Sequence, residues 1–318
     1  MRNSNEPIKV GVVGIGHLGT YHLQKYEKMS ECTIVGVSDT VKERAERVAD
    51  TYGCVAFDDH RRLIEMVDAV SIAVPTVNHY NVAKDFLAAG VDVLLEKPIA
   101  VTLEEADGLI SCAEETGTIF QIGFIERFNP AIAALKKVMD EPLFIEAHRL
   151  HPFFTRGTDV DVILDLMIHD LDIILSFVNY PLKNVEAVGV SVLSESVDIS
   201  NARITFSNGC VANVTASRVT GKVMQKIRFF GFEGYHSVDC GKRELMSLSR
   251  KDNDGKVGIF QNNVEVESYD PLEREVRCFI KSVMTRTPPV VSGREGRKSL
   301  ELALQIIEKM NQGRGLTA

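Results

Sequence analysis

Asp161, Asp165, His169 and Asp172 punctuate an otherwise apolar stretch. They fall at i, i+4, i+8 and i+11, so a helix over about 160–178 would carry them as one polar stripe on a buried element. Ionisable groups in such a place are costly unless they are paired or face a site. An aspartate and a histidine one turn apart can do acid–base work. The imidazole takes a proton near neutral pH, and the carboxylate holds its tautomer and raises its basicity. The plainer reading is a helix cap and a satisfied core histidine, but four polar positions in register favour chemistry. His148, His151, Asp165 and His169 would also suit zinc, yet no defined ligand motif joins them, and no metal is expected.

Two further clusters belong with this stripe. Glu96-Lys97-Pro98 follows the run DVLL (92–95). In an open α/β sheet, ligands gather at the carboxyl ends of the strands, so Lys97 would point into the cleft. On local sequence alone a surface lysine is an equal reading. Gly123 to Pro130 (GFIERFNP) contains Arg127, whose planar fork can hold a phosphate or carboxylate. An interdomain salt bridge is the other reading, and the residues alone do not decide.

A nucleotide site is spelled out at the start of the chain. The run KVGVV (9–13) leads into Gly14-Ile15-Gly16-His17-Leu18-Gly19, a G-x-G-x-x-G motif between a strand and a helix. The first glycine permits the turn, the second lets backbone approach a pyrophosphate, and the third packs helix on strand. Asp39 ends the next strand, where an acid binds the ribose 2′-hydroxyl and disfavours a 2′-phosphate. NAD is therefore expected over NADP, a preference that Lys42 and Arg44 nearby weaken slightly. Pro75, Thr76 and His79 follow the run AVSIAV (69–74) and are expected on the nicotinamide side. His17, Leu18, Glu96, Lys97 and Gln121 complete the expected cofactor set.

The elements that must position these residues follow from periodicity. Residues 9–123 alternate β-branched runs (9–13, 33–37, 69–74, 92–95, 118–123) with amphipathic stretches. That alternation implies a doubly wound parallel sheet, a Rossmann domain over 1–123. After the apolar helix, strand-like segments at 185–193, 202–206, 210–219, 226–232 and 258–268 imply an open, mostly antiparallel sheet. Helices near 271–285 and 294–311 close a second domain over 124–318, and the C-terminal helix is placed to pack back on the first. The fold class is thus α/β plus α+β.

Composition removes other functions. The 318 residues carry 36 Lys plus Arg and 44 Asp plus Glu, a net charge of −8, with no basic stripe of the kind nucleic-acid binding requires. No apolar run reaches membrane-spanning length, and residues 1–9 lack a signal-peptide core, so neither membrane nor secretion is expected. The six cysteines are scattered, which suits free thiols in a reducing cytoplasm.

Together, Gly14–Gly19, Glu96-Lys97-Pro98 and Asp165 with His169 resemble the glucose–fructose oxidoreductase / inositol dehydrogenase / MocA family. The resemblance implies a Rossmann domain, an open-sheet domain that often forms a homodimer or homotetramer interface, and a Lys97–Pro98 bond that is often cis. It implies catalysis by Lys97, His169 and Asp165. Arg127, Asn129, His148 and Arg156, with Lys97 and His169, would hold the substrate. VSIAVPTVNHY (70–80), GFIERFNPAI (123–132) and 148–173 look like the branch that oxidises the 3-hydroxyl of UDP-N-acetylglucosamine, whose product an aminotransferase then converts. A glycine-rich stretch common before the Asp–His motif is here 158–164 (TDVDVIL), which also suits a sugar nucleotide. Arg127, Arg149 and Arg156 would steer that anion. The alternatives are a relative acting on inositol, a free sugar or a dihydrodiol, and a non-catalytic NAD-binding sensor.

Overall fold

A computed structural model describes residues 6–153, 161–232, 234–253 and 256–314. The chain divides into two compact units: Met1–Ile125 with Asp270–Arg297, and Glu126–Tyr269 with Lys298–Ala318. The sequence division at 123/124 differs from this by the return of 270–297 to the first unit.

The first unit alternates β1 (Ile8–Val13), α1 (His17–Tyr26), β2 (Cys32–Ser38), α2 (Lys42–Tyr52), β3 (Val55–Phe57), β4 (Ala69–Ile72), α3 (His79–Ala88), β5 (Asp92–Glu96), α4 (Leu103–Thr116) and β6 (Phe120–Gly123). All six strands are parallel, in the order β3-β2-β1-β4-β5-β6. The order reverses between β1 and β4, which is the Rossmann arrangement. β3, only VAF, is a strand that the sequence reading did not include, and the stretch expected as a helix near 60–66 is a 3-10 helix, His60–Met66.

The second unit opens with α5 (Pro130–Leu135) and β7 (Phe144–Leu150). α6 (Ile168–Phe177) follows, then β8 (Leu182–Val190), β9 (Ile199–Phe206), β10 (Val211–Ser217), β11 (Met224–Phe230), β12 (Gly234–Asp239), β13 (Glu244–Asn253) and β14 (Lys256–Asn262). They form one eight-stranded sheet, β14-β13-β12-β11-β7-β10-β9-β8, antiparallel except for the parallel pair β7 and β10. Along β7, β9 and β10 burial alternates residue by residue, so one face is covered and the other is open. The helix expected as continuous from 160 is π-helical over Ile163–Met167 and α-helical from Ile168. A π turn inside a helix often marks a functional position.

α7 (Pro271–Thr285) belongs to the first unit and α8 (Gly293–Arg314) closes the chain. α7 starts where Asp270 accepts the Glu273 N–H and Pro271 occupies the first turn. Leu272, Val276, Phe279, Ile280 and Val283 line one face at helical spacing and join Val10, Val12, Leu23 and Tyr26 in the core. Phe279 is fully buried there. Phe279→Ala should therefore cost about 3–5 kcal/mol of stability, measured by urea unfolding; a loss under about 1 kcal/mol would show that α7 is not part of this core.

Candidate active site

The glycine turn of the first unit is built by contact. Gly14 has φ +86°, and a Cβ there would stand 2.5 Å from the Ala73 carbonyl oxygen. A Cβ on Gly19 would overlap the Gly14 carbonyl. Around Gly16 nothing lies within 4 Å of a Cβ position, so the backbone is open to a close-approaching phosphate. Gly16 caps α1 without a side-chain hydrogen bond, leaving the first-turn N–H groups facing outward. His17 and Leu18 are exposed on that turn. These features fit the pyrophosphate of NAD.

Asp39 is buried and ties the end of β2 to the turn. Its carboxylate accepts the Ile15 N–H and the Val41 N–H, each at 2.8 Å, and pairs with Arg44 at 3.1 Å. The basic neighbour that weakened the NAD preference thus bonds to the acid itself.

The ends of β4 and β5 carry the next group. Pro75 is exposed and Thr76 half-buried, as cofactor contacts require. His79 instead turns inward: its Nδ1 lies 2.7 Å from the Pro98 carbonyl and its Nε2 3.0 Å from the Val74 carbonyl. Burial pulls its pKa below the ordinary histidine value. It braces the β4 loop against the segment after Lys97 and offers no ring nitrogen to a ligand. The Lys97–Pro98 bond is cis, and Lys97 is half-buried. Glu96 meets His22 Nε2 at 3.0 Å. Gln121 is fully buried, with its amide donating to the Glu275 carbonyl, and is a core contact rather than a cofactor contact.

In the second unit, the polar stripe separates into structural and available members. Asp161 accepts the Val197 N–H. Asp172, buried, pairs with Arg127 at 3.2 Å. Asp170, which the stripe did not include, receives Arg149 as a bidentate fork at 3.0 and 2.9 Å, and Arg149 also reaches Glu126 at 3.0 Å. Burial raises the Asp170 pKa, and the Arg149 charge opposes it. Asp165 and His169 remain half-buried on the same helix.

Several expected substrate contacts are thereby placed elsewhere. Arg127 and Arg149 are nearly buried and engaged in these pairs. Asn129 is the N-cap of α5 and also donates to Glu126 and to the Cys240 carbonyl. His148 alternates with Arg149 on β7 and therefore faces the opposite side of the sheet. There it lines a polar hollow of about 570 Å³ with Glu146, Glu186 and Arg203. His151 is half-buried beside Gln225, with its pKa pulled down by burial and by the Arg149 charge. Arg156 lies outside the described residues.

Comparison with known proteins accords with both halves. Residues 8–124 match the profile of an oxidoreductase family with an NAD-binding Rossmann fold, and residues 140–236 match the GFO/IDH/MocA C-terminal domain. The chain is 39% identical to UDP-N-acetylglucosamine 3-dehydrogenase of Acidithiobacillus ferrooxidans, over 94% of this chain and 96% of that one. A solved structure of that enzyme superposes with TM-score 0.89, covering 96% of this chain and 98% of the other. Myo-inositol 2-dehydrogenase of Thermotoga maritima is 26% identical over 97% of this chain and 98% of its own. Levoglucosan dehydrogenase in complex with NADH and levoglucosan, at 20% identity, covers 96% of this chain and 98% of its own with TM-score 0.87 and shares the fold.

The Arg149 pairs set the stability of the helix that carries His169. Arg149→Met leaves Asp170 buried without its counter-charge and should cost about 3–5 kcal/mol. Adding Asp170→Asn should recover part of that loss. Chemical denaturation of the single and double variants checks it, and a double variant as unstable as the sum would count against direct pairing.

Proposed function

Because the chain belongs to the GFO/IDH/MocA family of NAD-binding oxidoreductases, we propose that it oxidises the 3-hydroxyl of UDP-N-acetylglucosamine to the 3-keto sugar. The family makes it an NAD-dependent dehydrogenase acting on a CH–OH group. The observation that carries the substrate is its 39% identity, along 94% of its length, to an enzyme named for that reaction.

In this reading His169 removes the proton of the sugar hydroxyl, and Asp165 orients His169 and stabilises its charged form. Lys97 binds the same oxygen and stabilises the negative charge that develops on it. The turn Gly14–Gly19 holds the cofactor pyrophosphate, Asp39 takes the adenosine ribose, and Pro75 and Thr76 line the nicotinamide side. NAD supplies the hydride acceptor.

The product, a ketone, is the natural substrate of an aminotransferase, which places the enzyme one step before an amination. The open face of the eight-stranded sheet exposes Val188, Val190 and Ile259, which supports a homodimer or homotetramer through that face. All six cysteines are free, in keeping with a reducing cytoplasm. Among the described residues no helix is long and apolar enough to cross a membrane.

The purified protein with NAD should form NADH from UDP-N-acetylglucosamine and not from free N-acetylglucosamine or myo-inositol. NADH from inositol alone would keep the family chemistry and overturn the substrate. Lys97→Met and His169→Asn should each lower kcat by about 10²–10⁴-fold while the Kd for NADH stays within about threefold. Near-normal turnover in both variants would remove them from the mechanism.

A further inference from the structure

Glu275 is a buried carboxyl group of the first unit that the reaction above does not use. Glu275 on α7 is fully buried, and neither carboxyl oxygen has a hydrogen-bond partner among the described residues. A buried polar group without a partner costs about 1–3 kcal/mol, so packing alone favours an apolar side chain at this position. Its helix brings Glu275 to Glu96 on β5 and His22 on α1. One nitrogen or oxygen from each of the three lies within 4.8 Å of the others.

Glu96 is held from more than one direction. Its Oε1 lies 3.0 Å from His22 Nε2; His22 Nδ1 lies 3.1 Å from Ser71 Oγ, which is 2.7 Å from the Tyr26 hydroxyl. The relay is satisfied with Tyr26 donating to Ser71, Ser71 to Nδ1, and the Nε2–H to Glu96. In that sense Nε2 carries a hydrogen and has no lone pair for a metal ion. Gly123 makes the room, since a Cβ there would stand 3.1 Å from Glu96 Cδ. The Glu96 carboxylate keeps lone pairs for a further donor, and Glu275 is the acid placed to supply one.

Two ionised carboxylates this close in a buried pocket repel, so the pair holds a proton. Burial, and then the Glu96 charge, push the Glu275 carboxyl well above the ordinary range. The titratable groups around it are Glu96 on β5, His22 and Tyr26 on α1, and Cys278 on its own helix.

We propose that Glu275 is a positioning residue: it donates a hydrogen bond to the Glu96 carboxylate and, with His22, fixes the end of β5 that presents Lys97. The inference rests on the reading of Lys97 as the group that binds the reacting oxygen.

Glu275→Gln keeps a donor, whereas Glu275→Met keeps the volume without one. A carboxyl whose pKa is raised in the folded state stabilises the fold fully below its unfolded value and loses that contribution as pH rises towards the folded one. The Tm of Glu275→Gln minus that of the wild type should therefore grow as the pH rises above the ordinary carboxylate range. In turnover of UDP-N-acetylglucosamine, Glu275→Met should lose about tenfold to a hundredfold in kcat with KM little changed, and Glu275→Gln should restore it. A Tm difference independent of pH, or Glu275→Met turning over like the wild type, would overturn the inference. So would a stoichiometric metal ion found by elemental analysis and lost with activity on chelation. A wild type that turns over no alcohol of the panel would overturn the functional reading instead, and the Tm comparison would then decide the fate of Glu275.

Discussion

An apolar helix cannot bring several aspartates into a protein interior without counter-charges, and the second unit is organised around meeting that demand. Asp170 and Asp172 follow His169 on α6, and each receives an arginine, Arg149 from β7 and Arg127 from the turn before α5. Burying one unpaired carboxylate costs several kcal/mol, so these pairs fix how α6 sits on the sheet. Asp165 and His169, which those pairs leave aside, are half-buried on the same helix.

The first unit fixes its own loop ends through buried hydrogen bonds. The end of β5 must hold Lys97 at a defined place, and a lysine on a loose loop end would not do so. His79 binds the Pro98 and Val74 carbonyls, and Glu96 binds His22. Both histidines act as braces for backbone and carboxylate. The Asp39 carboxylate does similar work at the glycine turn by accepting the Ile15 N–H. Residues that a motif marks as ligand contacts are also what hold the motif in shape.

Local signals in the sequence and non-local ones differed in legibility. The G-x-G-x-x-G turn, five of the parallel strands and the Asp165–His169 stripe were readable because each depends on spacing within a few residues. β3 escaped because three residues make no period, and β7 because its covered face includes Arg149 while Phe144 and Leu150 lie on the other, so hydrophobicity does not alternate along FIEAHRL. The π turn at Ile163–Met167 leaves no mark in an apolar run. The arginines misled for a different reason. Arg149 and Asp170 are 21 residues apart, Arg127 and Asp172 are 45 apart, and no local pattern announces such pairs. A basic residue near a presumed cleft reads as an anion contact until its carboxylate is found. The return of α7 to the first unit is equally non-local, although its apolar stripe was visible as a helix.

The pairing also bears on how such a scaffold changes substrate. The groups assigned to proton transfer and oxyanion binding stand on α6 and at the end of β5. Their positions are set by ion pairs and hydrogen bonds buried within each unit. None of those supports needs to touch a sugar. Recognition of the rest of the substrate then falls to side chains outside the supports, which can be exchanged without disturbing a buried charge. An arginine taken from the supports to bind a diphosphate would strand an aspartate in the interior. On the proposed substrate, the anion contact would fall to residues outside these buried pairs, and substrate range could change while the pairs stay fixed.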